Sequence, residues 1–367
     1  MGKSRLANIE CLRCIAMLFI VLNHCILNIA TQYLTLRSSP LNFCITDFLY
    51  QIVYTGVNIF ILISGYFLVD TEQKSTNWNK IFQLWLIVFF YSMSIYFLSI
   101  ALNWETFGIQ NLIHNLMPIK YDAYWFITQY IGLYIMSPYF AKWAHSMAKL
   151  EYKTMLISLF ILTSIIQLAG LKGGFSLIWF IFLFMFAGYI RLHKDESSIL
   201  QIWNKRAGSF FFLSSFLLFL LSFVINGGGL NIVSYFGFYN GPILFLSSVS
   251  IFLLFLKQKE TNIIKQIAKI SPYLFGIYLI HEHPILKEHL WLYLNNHITD
   301  VTVLNLLFIA LAIFLACLII EYVRQFLFNR FKINVIFNSI TNSSLVFFKT
   351  QLKNASHYVG ISKKEDN

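Results

Sequence analysis

Within the stretch Arg5 to Leu27, RLANIECLRCIAMLFIVLNHCIL, three side chains can move a proton or hold a charge: Glu10, Arg13 and His24. An ionisable group inside an apolar segment of spanning length is costly, which makes it a functional candidate. At about 100° per residue, the path from Arg13 to His24 makes three turns and roughly 20°, so both lie on one helix face about 16 Å apart. Glu10 falls about 60° from Arg13 on the same side. Taken singly, Glu10 and Arg13 read as an i,i+3 ion pair anchoring the helix, and His24 as a histidine near a membrane interface. Their common stripe, with Met17, Ile20 and Val21 between them, argues for a face turned inward for function. A histidine placed there is suited to act as a base, because imidazole takes up and returns a proton near neutrality.

Further polar groups lie in later apolar stretches. In GVNIFILISGYFL, Gly56, Ser64 and Gly65 permit close helix approach, and Asn58 puts an amide where it needs a partner. The stretch YDAYWFITQYIGLYIMSPY carries Trp125, which an interfacial aromatic belt would explain, and Gln129, which it would not. In SPYLFGIYLIHEHPIL, His281 falls at a depth similar to that of His24, so the two histidines can meet, and Glu282 and His283 follow directly. This His-x-His, with Glu282, Glu288 and His289 nearby, matches no metal-ligand spacing, and no metal is expected. The five cysteines include one Cys-x-x-C, Cys11 and Cys14, without a second pair, and they read as small buried hydrophobes.

The elements that position these groups are helices in a membrane. Of 367 residues, 58% are hydrophobic and only 12% charged, which sets the chain apart from globular domains in water. Apolar stretches of spanning length fall at about 7–27, 46–69, 81–101, 124–140, 154–171, 175–191, 208–225, 237–256, 270–286 and 303–327. The expected fold is therefore all-α, a polytopic bundle of about ten transmembrane helices with both termini in the cytosol. The basic residues support that alternation: 22 of the 27 Lys and Arg fall on the side of the N-terminus, against Arg37, Lys120, Lys172 and Lys287 on the other. The net charge of +11 thus marks the cytosolic face and not a nucleic-acid partner. Residues 1–327 form one membrane domain, and 328–367 a cytosolic tail lying partly on the membrane surface. Glu10 and Arg13, with no small-x-small cleavage pattern after the first stretch, argue for a retained span over a cleaved signal peptide. Glu10, at the inner edge of its helix, is the one carboxylate placed within a span core.

The strings R-x-x-x-I-E-x-L-R-x-I-A-M-x-x-I-V-x-x-H (Arg5 to His24), GVNIFILISGYFL (Gly56 to Leu68), W-F-x-x-x-Y-x-x-L-Y-x-x-S-P (Trp125 to Pro138) and S-P-x-x-x-G-x-Y-L-I-H (Ser271 to His281) occur in that order. Together they resemble the membrane acyltransferase-3 family over nearly the whole chain. The most specific element, Arg-x10-His, falls on Arg13 and His24. The resemblance implies transfer of an acyl group, most often acetyl, from cytosolic acyl-CoA to a sugar hydroxyl of a bacterial surface polysaccharide or its lipid-linked precursor. It implies a multi-pass protein of the bacterial inner membrane. His24 would be the base or a transient acyl carrier, with Arg13 holding it electrostatically or engaging the donor, and Glu10 completing the motif where family members often have Asp. Asn58, Ser64, Trp125, Gln129 and His281 would line the substrate site. Lys74 and Lys80 would meet the CoA phosphates, since the stretch VDTEQKSTNWNK lacks the Arg-x-x-Arg found there in O-antigen-modifying members.

A membrane transporter or flippase of lipid-linked sugar is the alternative from another class. Transporters favour internal repeats, broken helices at the midplane and several membrane carboxylates. No repeat is visible in this sequence. The expected partners are membrane lipid, an acyl-CoA and a glycan acceptor.

Overall fold

A backbone in hydrocarbon must satisfy its own N–H and C=O groups, and the helix does so within one segment. Among the described residues the chain accordingly holds helices and no strand. The computed structural model describes residues 6–30, 40–70, 75–166, 174–225, 238–298 and 301–333, with 335, 337 and 339. The leader, Arg37, Lys74, Lys172, the loop 226–236 and nearly all of the proposed tail beyond 333 lie outside them.

In chain order the helices are α1 Ala7–Cys25, α2 Pro40–Val53, α3 Gly56–Leu68, α4 Trp78–Ala101, α5 Ile109–Leu116, α6 Trp125–Ser146, α7 Lys149–Phe160 and α8 Leu177–His193. They continue as α9 Ser198–Lys205, α10 Ala207–Ile225, α11 Pro242–Leu256, α12 Asn262–Ala268, α13 Leu274–His281, α14 Pro284–His297 and α15 Val303–Arg330. Local chemistry marks the starts: the side chains of Asn77, Ser176, Ser197, Thr261 and Thr302 each accept from a backbone N–H of the first turn, and Pro242 and Pro284 open helices where no N–H is needed. A π-turn, Ile26–Ala30, extends α1 beyond Cys25.

Among the described residues six stretches are long and apolar enough to cross a membrane: Ala7–Ile29, Pro40–Leu68, Trp78–Ala101, Ala207–Val224, Asn262–His281 and Val303–Arg330. The pair α8 and α9, bent by 97°, brings this to seven. The sequence count of about ten rests on further stretches that are helical but fall short of that standard. Polar residues dilute α6, α11 has 15 residues, and α7 with its π-turn runs toward residues outside the description.

Burial shows which helices form the inside. In the spanning window of Ala7–Ile29, 61% of residues are buried, and in Pro40–Leu68 72%, against 22% for Ala207–Val224 and for Val303–Arg330. The most apolar helices therefore face outward to lipid, while the first two stretches, which carry the polar candidates, are the core. Helix α1 packs on α2, α3, α11, α12, α13 and α15. Close approach is secured by glycine: a Cβ on Gly65 would lie 2.7 Å from the Cα of Phe184 in α8, and a methyl on Gly276 would overlap the Glu321 carboxylate of α15.

Two carboxylates inside helices correct the reading of Glu10 as the one within a span core. Asp47 is buried and accepts from Gln51 at 3.1 Å and Ser222 at 3.3 Å. Glu321 is buried, bonded by Arg324 at 2.7 and 2.6 Å, by Gln325 at 2.8 Å and by the Tyr91 hydroxyl. Both are held in place by donors, as a carboxylate shut away from water must be. Each sits near one end of an apolar run, where a hydropathy window averages it away.

Candidate active site

His24 stands at the last turn of α1 and His281 at the last residue of α13, 257 positions later. The chain brings Nδ1 of His24 to 3.3 Å from Nε2 of His281. The proton positions follow from the partners. His281 Nδ1 lies 2.7 Å from the Ile277 carbonyl oxygen, which can only accept, so Nδ1 carries the proton and Nε2 presents its lone pair. In the neutral His24 ring with its proton on Nδ1, that lone pair takes the Nδ1–H and Nε2 of His24 is unprotonated. The arrangement selects the tautomer a general base needs.

Glu282 is the third member, which sequence reasoning did not count among the site residues. Its Oε1 lies 3.0 Å from His24 Nδ1, but no hydrogen bond reaches that oxygen because the His24 N–H is directed to His281. The carboxylate is thus in place for a charged imidazolium without depending on the neutral ring. Its Oε2 accepts from Lys287 Nζ at 3.2 Å. Burial pushes the Glu282 carboxyl up, but the adjoining His24, His281 and Lys287 together outweigh it and hold the group well below the usual carboxylate range. The signal available in the sequence was its place between two histidines in LIHEHP; what it faces depends on α13 ending there. Glu282 caps α13 at φ −97°, ψ 2°, and Pro284 starts α14 two residues on. Tyr124 fixes this end by donating to the Leu279 carbonyl at 3.1 Å.

Ligand atoms of His24, His281 and Glu282 lie within 4.8 Å of one another, close enough to hold a metal ion. The Lys287 ammonium already supplies positive charge to Glu282, and the histidine nitrogens complete each other through a hydrogen bond. The donor set fits a proton relay better than a metal.

A cavity of about 720 Å³ adjoins the cluster, lined among others by Asn28, Asp122, Trp125, Glu282, Lys287 and Trp291. Trp125 therefore reaches the same chamber as Glu282. Gln129, one turn along α6 from Trp125, is half-buried. The π-turn places Asn28, whose Nδ2 donates to the His24 carbonyl at 2.7 Å and whose own carbonyl accepts from Asn295 of α14 at 3.1 Å.

Other sequence candidates sit elsewhere. Arg13 Nη1 lies 3.0 Å from both Glu10 oxygens near the opposite end of α1, about 16 Å of helix from His24, and so pairs with Glu10 and not with the histidine. Asn58 is fully buried and satisfied: it donates to the Tyr239 carbonyl at 2.9 Å and accepts from Trp179 Nε1 at 3.1 Å. Its place is behind the site, since the Tyr239 ring stacks 6.0 Å from Trp125. Ser64 donates to the Phe60 carbonyl at 2.9 Å, with the Tyr130 hydroxyl at 3.4 Å. Lys80 lies at the start of α4, its ammonium 5.0 Å over the Tyr134 ring. Lys74 is outside the described residues.

The model of the acyltransferase 3 family, described as an acyltransferase domain, matches residues 6–322, which include every element of this cluster. No curated protein matches the chain, and no solved structure does.

Proposed function

Because this chain belongs to the acyltransferase 3 family, we propose that it transfers an acyl group, acetyl in the first instance, from cytosolic acyl-CoA to a sugar hydroxyl of a cell-surface polysaccharide or its lipid-linked precursor. The observation that carries the reading is the 3.3 Å pairing of His24 with His281, which leaves His24 Nε2 free as a base. That nitrogen removes the proton of the acceptor hydroxyl as its oxygen attacks the thioester carbonyl. The imidazolium so formed lies 3.0 Å from Glu282, whose charge stabilises it, and its proton then passes to the departing thiolate. Sugar ester and free thiol result. The alternative course, with the acyl group resting on His24 Nε2 before transfer, uses the same nitrogen and the same partners.

The donor enters from the side where basic residues collect, which the excess of Lys and Arg identifies as cytosolic. Arg13 and Lys80 are the described cations we assign to it, with Lys74 beside them in sequence. A pantetheine arm spans the distance from that face to His24. Trp125 and His281 serve the acceptor end, Asn58 and Ser64 support the wall behind it, and Gln129 lines the passage. The enzyme is a multi-pass protein of the bacterial inner membrane with both termini inside.

The test is the ester-linked acyl content of surface glycans, read by NMR before and after mild alkali, in cells carrying the intact protein or His24→Ala. Loss of one acyl resonance at equal expression is the expected result. Unchanged acylation in the variant would overturn the assignment of His24, and equal acylation on a smaller amount of glycan would point to sugar movement.

A further inference from the structure

We propose that the cavity beside Glu282 is a binding site for an uncharged pyranose and that its charge pattern rejects acidic sugars. The inference rests on the reading that an acceptor hydroxyl meets His24, and it adds which acceptors fit.

One buried polar atom of the residues lining the cavity has no partner among the described residues, and a second accepts no hydrogen bond there. Trp291 is 5% exposed and its Nε1–H has no acceptor, while Oε1 of Glu282, a residue 7% exposed, lies 3.0 Å from His24 Nδ1 but accepts no hydrogen bond from the neutral ring. Leaving such groups unsatisfied is costly, and a native protein rarely does so without reason. A donor and an acceptor in one wall fit a hydroxyl, which gives one hydrogen bond and takes others. Trp125 contributes an aromatic ring to the same cavity, and a ring of this kind offers an apolar face to the C–H side of a pyranose.

Charge then narrows the class. Among the described residues the only lysine or arginine of the lining is Lys287, and its ammonium is bound to Glu282 at 3.2 Å. Asp122 and Glu288 also line the cavity, and neither has a basic partner within bridging distance among the described residues. Asp122 is held there at φ +52°, a left-handed conformation uncommon for a residue with a Cβ. A uronic or sialic acid would thus meet two carboxylates without compensation, whereas a neutral sugar would meet hydrogen-bonding groups. A second cavity of about 240 Å³ shares Ala123 and Pro284 with the first and adds Glu105 and His283, so the acidic, polar lining continues along the path a longer glycan would take.

The experiment uses the full-length protein in nanodiscs with ¹⁵N-indole tryptophan, titrated with methyl gluco-, galacto- and mannopyranoside and with methyl glucuronide. At least one neutral glycoside is expected to shift a single indole N–H resonance that is missing in Trp291→Phe, with the glucuronide binding at least about tenfold more weakly. In the double variant Asp122→Asn, Glu288→Gln, which leaves Trp291 in place, most of that difference should vanish. No shift with any neutral glycoside, a shift that persists in Trp291→Phe, or equal binding of the glucuronide overturns the proposal. Binding needs no acyl donor, so selective binding without acyl transfer would count against the proposed reaction alone, and transfer with unselective binding against this inference alone.

Discussion

Nε2 of His281 faces Nδ1 of His24 across 3.3 Å, joining the last turn of α1 to the last residue of α13. The contact makes His281 a positioning residue for the base. His281→Ala should lower kcat for acyl transfer on the order of a hundredfold with little change in KM for the donor, whereas His281→Gln, which keeps an acceptor oxygen near Nδ1, should recover part of the loss. Steady-state kinetics on protein in nanodiscs decides it; a loss confined to donor KM would place His281 on the binding path instead.

Glu282 acts on the same base through charge. Glu282→Gln retains the shape and removes the partner 3.0 Å from the imidazolium, so kcat should again fall by about tenfold to a hundredfold. Lys287→Met should have a smaller effect in the same direction. Equal activity of Glu282→Gln would mean that the carboxylate is structural.

Chelation separates the proton relay from a metal site. With Lys287 bound to Glu282 and the two histidines bound to each other, prolonged dialysis against EDTA should leave transfer unchanged, and elemental analysis should find less than about one tenth of a metal ion per chain. Activity lost to EDTA and restored by zinc would reassign His24, His281 and Glu282 as ligands.

Acid stability should report His283, which opens α14. Burial lowers its affinity for a proton to a pKa of about 4, against a smaller upward pull from the Ser92 backbone. The unfolded chain protonates this imidazole near pH 6.5 and the folded chain does not until about 4, so the unfolded state binds more protons in that window. Stability is therefore lost as pH falls from about 6.5 toward 4, by roughly 3 kcal/mol if the whole shift is expressed. Glu282, whose folded pKa is depressed, gives up its contribution only below the ordinary carboxylate range. Thermal melts of the intact protein and His283→Gln should diverge across that interval; parallel curves would refute the account.

Asn58→Ala should cost about 2–4 kcal/mol, because it strands Trp179 Nε1 and the Tyr239 carbonyl in a dry interior. If Asn58 instead touched substrate, the melting temperature would hold and KM would rise.

The sequence made the membrane class and the helical character legible, since apolar runs and basic loops are local properties. It also placed His24 and His281 at one depth, because depth follows from counting along a helix. The pairing of their nitrogens lay beyond it: 257 residues separate them, and only the packing of α13 on α1 decides which atoms face each other. Glu282 escaped notice as a partner because its direction depends on α13 stopping at His281. Asp47 and Glu321 escaped for a different reason, lying near the ends of long apolar runs with compensating donors that include side chains on other helices, Ser222 and Tyr91. The resemblance implies that Arg13 holds His24 electrostatically or engages the donor; its guanidinium pairs with Glu10, and the distance of about 16 Å to His24 is legible from helix rise alone.

The π-turn Ile26–Ala30 holds one residue more than an α-turn would use, and a single added residue rotates everything beyond it by about 100°. Inside that turn, Asn28 is presented at once to the His24 carbonyl and to Asn295. Removing any one residue between 26 and 30 would leave the segment as apolar and nearly as long, and an insertion assay would find it still in the membrane. The chain would keep its place in the bilayer and lose the latch between base and cavity, a kind of lesion that only angular registration, and no hydropathy profile, can record.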